Sequence, residues 1–198
     1  MNYPAASWRG IEYKIQLTHK NTNSHPAASC EEFFRLKINK MESSLLGIKS
    51  GNLSSVAHML NILLADEFLL YTKTRNAHWN VEGPDFYSKH KFFETQYGQL
   101  EQICDDVAER IRALDHYAIA SLQAFLKVTH LTEESREHND STGFIHELLE
   151  DHESVIIFIR ENINRFSDKL HDAGTTDFIT GILETHEKMA WMLRAQLK

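Results

Sequence analysis

The sequence predicts an all-α antiparallel four-helix bundle, with a short extra helix in the long crossover between the second and third long helices. Four stretches repeat apolar residues at helical spacing, and no stretch with strand-like alternation competes with them. The breaks between them run short, long and short, which is a known bundle connectivity.

The first helix follows from Val56, Leu60, Leu63, Leu64, Phe68 and Tyr71, and runs from Asn52 to about Asn80. Val81-Glu82-Gly83-Pro84-Asp85 ends it, because proline and glycine at these positions favour a turn. The second helix places Phe86, Phe93, Tyr97, Leu100, Cys104, Ala108, Ile111 and Leu114 on one stripe. A short helical piece is expected over Ile119 to Phe125, before a polar connection from Thr129 to Thr142. The third long helix, about Thr142 to Leu170, carries Ile145, Leu148, Leu149, Val155, Ile156, Ile159, Ile163 and Phe166. The fourth is expected after Gly174 with Thr175 or Thr176 as N-cap, and carries Phe178, Ile182, Leu183, Met189, Leu193 and Leu197.

With 198 residues, 42% of them hydrophobic, the chain is long enough for one substantial core, assigned to residues 46–198. Residues 1–45 read as a disordered extension: Pro4 and Pro26 lie there among scattered Asn, Ser and Ala, with no sustained apolar period. Met41 offers an alternative start to the ordered part. No uninterrupted apolar run has the length of a membrane span, and Met1 to Arg9 lacks the order of a secretory signal, so a cytoplasmic protein without membrane contact is expected. Two cysteines, Cys30 and Cys104, make no disulfide framework and fit a reducing compartment. The net charge of −7 is uneven, since Arg9, Lys14, Lys20, Arg35, Lys37 and Lys40 outnumber Glu12, Glu31 and Glu32 in the first forty residues. The acidic remainder repels nucleic acid and attracts cations, so any DNA contact would run through the tail.

The chemistry-bearing residues concentrate around the second helix. His90 and Glu94, and again Asp105 and Glu109, are spaced i, i+4 and so lie one turn apart on one face. Imidazole together with carboxylate suits ferrous iron. Glu94 and Asp105 are eleven positions apart, roughly 16 Å along a helix, so one helix cannot bring both pairs to one ion. The positions of His90 and Glu109 nevertheless add to the same total as those of Glu94 and Asp105. Two copies packed antiparallel about a twofold axis near Gln99 and Leu100 would therefore set His90 level with Glu109 of the other copy, and Glu94 level with Asp105. Gly98, a poor helix former, would let the backbones approach there. His78, at the end of the first helix, comes level with His90 across the short loop. Taken one at a time these residues have plainer readings: His90 as a core histidine, the acids as a solvated face, Trp79 as packing.

The stretch Lys73-Thr74-Arg75-Asn76-Ala77-His78-Trp79-Asn80-Val81-Glu82-Gly83, followed by Phe86, His90, Phe93-Glu94, Asp105 and Ala108-Glu109-Arg110, resembles the signature of the Dps family of ferritin-like mini-ferritins. The resemblance extends more loosely from Ser44 to the end, including Met189-Ala190-Trp191-Met192. It implies a dodecameric hollow shell built from twofold dimers. Its ferroxidase sites would oxidise ferrous to ferric iron, preferentially with hydrogen peroxide, and the ferric mineral would be stored inside. His78, His90 and Glu94 of one subunit and Asp105 and Glu109 of its partner would be the catalytic and metal residues, with Trp79 beside them. Asp168, Asp172 and Asp177 would fall near a threefold iron-entry pore, although as plain sequence they read as helix-end and turn residues. Asp115-His116 departs from members with a glycine pair there.

The alternative function is a non-catalytic, nucleoid-associated shell that compacts DNA. The tail's spread and partly offset lysines and arginines argue against it, and all five ligand positions hold competent groups. A ferritin-type site inside one bundle would need Glu-x-x-His motifs on two helices, and the chain contains none.

Overall fold

The computed structural model describes residues 46–133 and 139–198. The chain divides into two units, Met1–Lys37 and Ile38–Lys198, and every described residue belongs to the second. The expected disorder of the tail, its basic residues and Cys30 lie outside the described residues.

Four long helices form the unit: α1 (Ser50–Asn80), α2 (Phe86–Ala113), α4 (Ser141–Asn164) and α5 (Ala173–Arg194). The short α3 (Leu122–Val128) lies in the crossover, and no strand occurs among the described residues. The hairpin partners α1 with α2 and α4 with α5 pack most extensively. Each long helix sends large side chains into one core: Leu60 and Leu70, Phe93 and Ile111, Phe144 and Ile159, Ile179 and Met189 are all almost completely buried. Burial of such a side chain stabilises by about 1.5–3 kcal/mol. By length and composition alone α1 could cross a membrane, but most of its apolar stretch is buried in the bundle.

Three element boundaries differ from expectation, two of them for a local polar reason. α3 starts at Leu122 rather than Ile119, because Ser121 is its N-cap, accepting a hydrogen bond from the Ala124 amide, while the Ile119 amide donates to Asn61 of α1. The third long helix stops at Asn164 and continues as a π-helical turn over Arg165–Lys169, with Asp140 capping its start. α5 starts at Ala173, and its cap is Asp172, not Thr175 or Thr176. The Asp172 carboxylate accepts from the Thr175 amide at 2.9 Å and from the Thr175 hydroxyl at 2.5 Å. Arg110 of α2 donates to both Asp172 and Thr175, so the cap also pins α5 to α2.

Two further polar clamps fix the crossover. Asp66, buried in α1, accepts from the Thr129 hydroxyl and the His130 amide, both at 2.7 Å. Lys73 sits 3.0 Å from Glu147 and 2.5 Å from Asp151, and donates to the Thr132 carbonyl. Burial works against the Lys73 charge, but the hydrogen bonds and charges of Asp151 and Glu147 outweigh it and raise the Lys73 pKa.

Replacing Asp172 by Ala is expected to cost about 2–3 kcal/mol, since it removes a cap and leaves Arg110 facing a buried gap. Replacement by Asn should cost less, and chemical denaturation of the two variants checks the order. A raised lysine pKa contributes stability that is fully present below the ordinary value and lost as pH rises through the folded value. Thermal melts should therefore show an alkaline decline above about pH 10.5 that is shallower in Lys73→Met.

Candidate metal centre

The short break between α1 and α2 brings His78 and His90 together. Their rings stack with centroids 3.8 Å apart and 23° between the planes. His78 Nδ1–H donates to the His90 carbonyl, and His90 Nδ1–H donates to the His78 carbonyl, each at 2.8 Å. A carbonyl can only accept, so both Nδ1 atoms carry hydrogen, and Nε2 is the nitrogen that each ring, in its neutral form, has to offer an ion. This is the outer support that a metal-binding imidazole needs. The exchange also occupies the His78 carbonyl, one of those left without a helical partner at the end of α1.

Glu94 stands one turn beyond His90, with its side chain 42% exposed and 2.7 Å from Lys91. The hydrogen bond from Lys91, followed by smaller contributions that include the two histidines, holds its carboxyl below the usual range. Asp105 and Glu109 are both exposed further along α2. Among the described residues no three His, Cys, Asp or Glu side chains converge closely enough to hold a metal. One chain therefore brings His78 and His90 together with Glu94 nearby, and leaves Asp105 and Glu109 apart from them.

The face between these groups is open. A groove of about 650 Å³ runs past Gly98, Glu101, Gln102 and Asp105 of α2, and Leu122 and Phe125 of α3. A Cβ at Gly98 would meet nothing within 4 Å.

Sequence reasoning placed Tyr97 in the packing stripe and gave Arg75 no role of its own, and both are neighbours of the histidines. Tyr97 meets His78 edge-on at 5.1 Å. The Arg75 guanidinium lies over Tyr97, Trp79 and Tyr71, at 4.6, 5.0 and 5.6 Å from the ring centres, where cation–π attraction holds it. A basic residue one turn before His78 with aromatics at −7 and +1 was the available signal. Trp79 is 63% exposed beside His78. Of the three pore candidates, Asp168 and Asp177 are exposed, whereas Asp172 is buried as the α5 cap. Asp115 adopts a positive φ of 62°, a conformation that glycine takes without strain.

A bundle with this crossover and a paired-histidine, carboxylate-flanked helix hairpin defines a ferritin-like protein, and the ferritin-like domain model matches residues 57–198. Within that class the chain belongs to the Dps family of mini-ferritins. It is 40% identical to an uncharacterized low temperature-induced protein of Nostoc sp. over 150 residues, 76% of this chain and 84% of the relative. It is 34% identical to the DNA protection during starvation protein of Helicobacter pylori over 139 residues, 70% of this chain and 96% of that one. The solved Dps protein of Vibrio cholerae O1, described as a member of the ferritin-like diiron-carboxylate superfamily, superposes with a TM-score of 0.75 at 29% identity. That match covers 80% of this chain and 98% of the other.

If the Gly98 face is covered by a second copy, bulk there should act on assembly and not on folding. Gly98→Leu is expected to leave the helical circular dichroism unchanged while lowering the particle mass measured by light scattering. A free face would instead show unchanged mass and a melt raised by about 0.5–1 kcal/mol, the usual gain on removing a mid-helix glycine.

Proposed function

We propose that this chain oxidises ferrous iron at sites shared between two copies of itself, and stores the ferric product in a hollow shell. Membership of the Dps family supports the coarser reading, iron storage and protection. The observation that carries the finer one is the reciprocal imidazole-to-carbonyl pair, which leaves two Nε2 donors side by side near Glu94. Two imidazoles and one carboxylate hold ferrous iron but leave its coordination open. Asp105 and Glu109, exposed on the same helix, are the groups a twofold mate would bring to the other side.

In this reading ferrous iron is a substrate. His78 and His90 donate neutral nitrogen, and the anionic Glu94, Asp105 and Glu109 offset the charge that grows as ferrous becomes ferric. Hydrogen peroxide is the preferred oxidant: two ferrous ions give one electron each, the O–O bond breaks, and with two protons two waters form. Because both electrons arrive together, hydroxyl radical is not released. The oligomer is a homo-oligomeric shell, with the dodecamer as the proposed size, and a cytoplasmic location follows from the same reading.

Asp105→Ala with Glu109→Ala should lower the initial rate of peroxide-dependent iron oxidation by about 100-fold or more, with particle mass unchanged. Absorbance after a peroxide pulse to the anaerobically iron-loaded protein checks it. An unchanged rate in an intact particle removes these two acids from the site.

A further inference from the structure

A second cluster of histidine and carboxylate side chains lies inside the bundle, away from the helix hairpin of the proposed iron site. Glu67 of α1, His152 of α4 and His186 of α5 are all 0% exposed. His186 Nε2 stands 2.9 Å from Glu67 Oε1, and His186 Nδ1 stands 2.9 Å from His152 Nδ1. Both Glu67 oxygens, His186 Nε2 and His152 Nε2 nevertheless lack a well-aligned hydrogen bond. Buried polar atoms are almost always satisfied, and several orphans at one point mark a place where a water or an ion belongs.

Charge separates those two occupants. The only ion-pair partner of Glu67 among the described residues is His186, and His152 meets His186 on its other side through Nδ1. A water would supply hydrogen bonds but would leave the carboxylate charge to His186 alone. A cation supplies both. The trio lies in a row and does not form a cup, which suits a division of labour: a metal-binding imidazole normally donates its second ring N–H to a neighbouring acceptor. His152 Nδ1 is placed to be that acceptor for His186.

We propose that the bundle core binds one divalent transition-metal cation through the Glu67 carboxylate and His186 Nε2, with His152 orienting His186. The mixture of imidazole and carboxylate selects the zinc, cobalt and ferrous class over magnesium or calcium. Burial, followed by the nearby Glu67 charge, pushes the Cys104 thiol of α2 up. The missing Glu-x-x-His motifs exclude the usual paired-iron arrangement inside a bundle, but not a single ion.

The test uses the full chain with His78 and His90 changed to Gln, which keeps a donor at each position, and Asp105 and Glu109 changed to Ala, so that the proposed shared site cannot contribute. Cobalt titration should give about one ion per chain with ligand-field bands, and zinc should raise the melting temperature of the same protein. Adding Glu67→Gln should abolish both. No cobalt uptake, or uptake that Glu67→Gln leaves unchanged, overturns the proposal and makes the trio a proton-paired cluster. Should Glu67→Gln fail to fold, X-ray absorption of the cobalt-loaded parent decides: imidazole nitrogen with carboxylate oxygen is expected, and an oxygen-only shell overturns it. Loss of iron oxidation in the parent bears only on the shared site, so the two readings fail separately.

Discussion

The two hydrogen bonds that His78 and His90 exchange with each other's backbone are the constraint from which the site follows. They tie the end of α1 to the first turns of α2, and so set the level at which one helix passes the other. The same register brings Tyr71 to Tyr97 a few turns away, and Tyr97 to the edge of His78. Because each ring spends its Nδ1 hydrogen on a carbonyl, the bond that shapes the hairpin is also the bond that leaves Nε2 for the proposed ion. Structure and chemistry cannot be changed independently here. A residue at either position that cannot donate to a carbonyl would loosen the hairpin as well as remove a nitrogen.

Polar groups do comparable work at the far end of α2. Arg110 follows Glu109 directly, and its side chain runs inward to Asp172 and Thr175, so the helix that carries the exposed acid is anchored by its next residue to the start of α5. Asp66 and Lys73 perform the same service for the crossover, from inside α1 outward. The buried charged groups of this bundle are thus mostly structural clamps with several partners each. Glu67 differs from its neighbour Asp66, which accepts several hydrogen bonds, because both Glu67 carboxylate oxygens lack one.

The fold was legible because its four apolar stripes have the helical period over many turns, a signal that individual polar residues do not disturb. The boundaries were less so. Where Asp172 and Thr175 both qualify as caps, the Asp172 carboxylate takes the Thr175 amide, and Arg110, sixty-two residues away in the chain from the aspartate, backs it only in the folded state. Ile119 looks helical by type, yet its amide is taken by Asn61. The histidines of the hairpin could be placed level with each other from spacing alone, but their exchange of hydrogen bonds could not, since it depends on ring orientation. His152 and His186 passed unnoticed for a related reason. Each lies on the apolar face of its own helix and reads as an ordinary core residue, and only the meeting of α1, α4 and α5 puts a carboxylate beside them.

The proposed site shared between two copies accounts for the placement of acids and histidines on α2. A site assembled within one chain would gather its polar groups from facing helices, as Glu67, His152 and His186 meet from three of them. Instead Asp105 and Glu109 sit exposed on the helix that already carries His90 and Glu94, with a groove and a side-chain-free glycine between the two sets. Leaving Asp105 and Glu109 in water costs an isolated chain nothing, because solvated carboxylates are content there. Glu94 is already charged beside Lys91. Each half therefore folds without metal, and a cation gains most where two halves meet, since only there are the carboxylates partly desolvated and close enough together to favour a positive ion strongly. In the proposed reading, metal affinity depends on pairing through the helix sequence itself, and iron chemistry is tied to assembled particles.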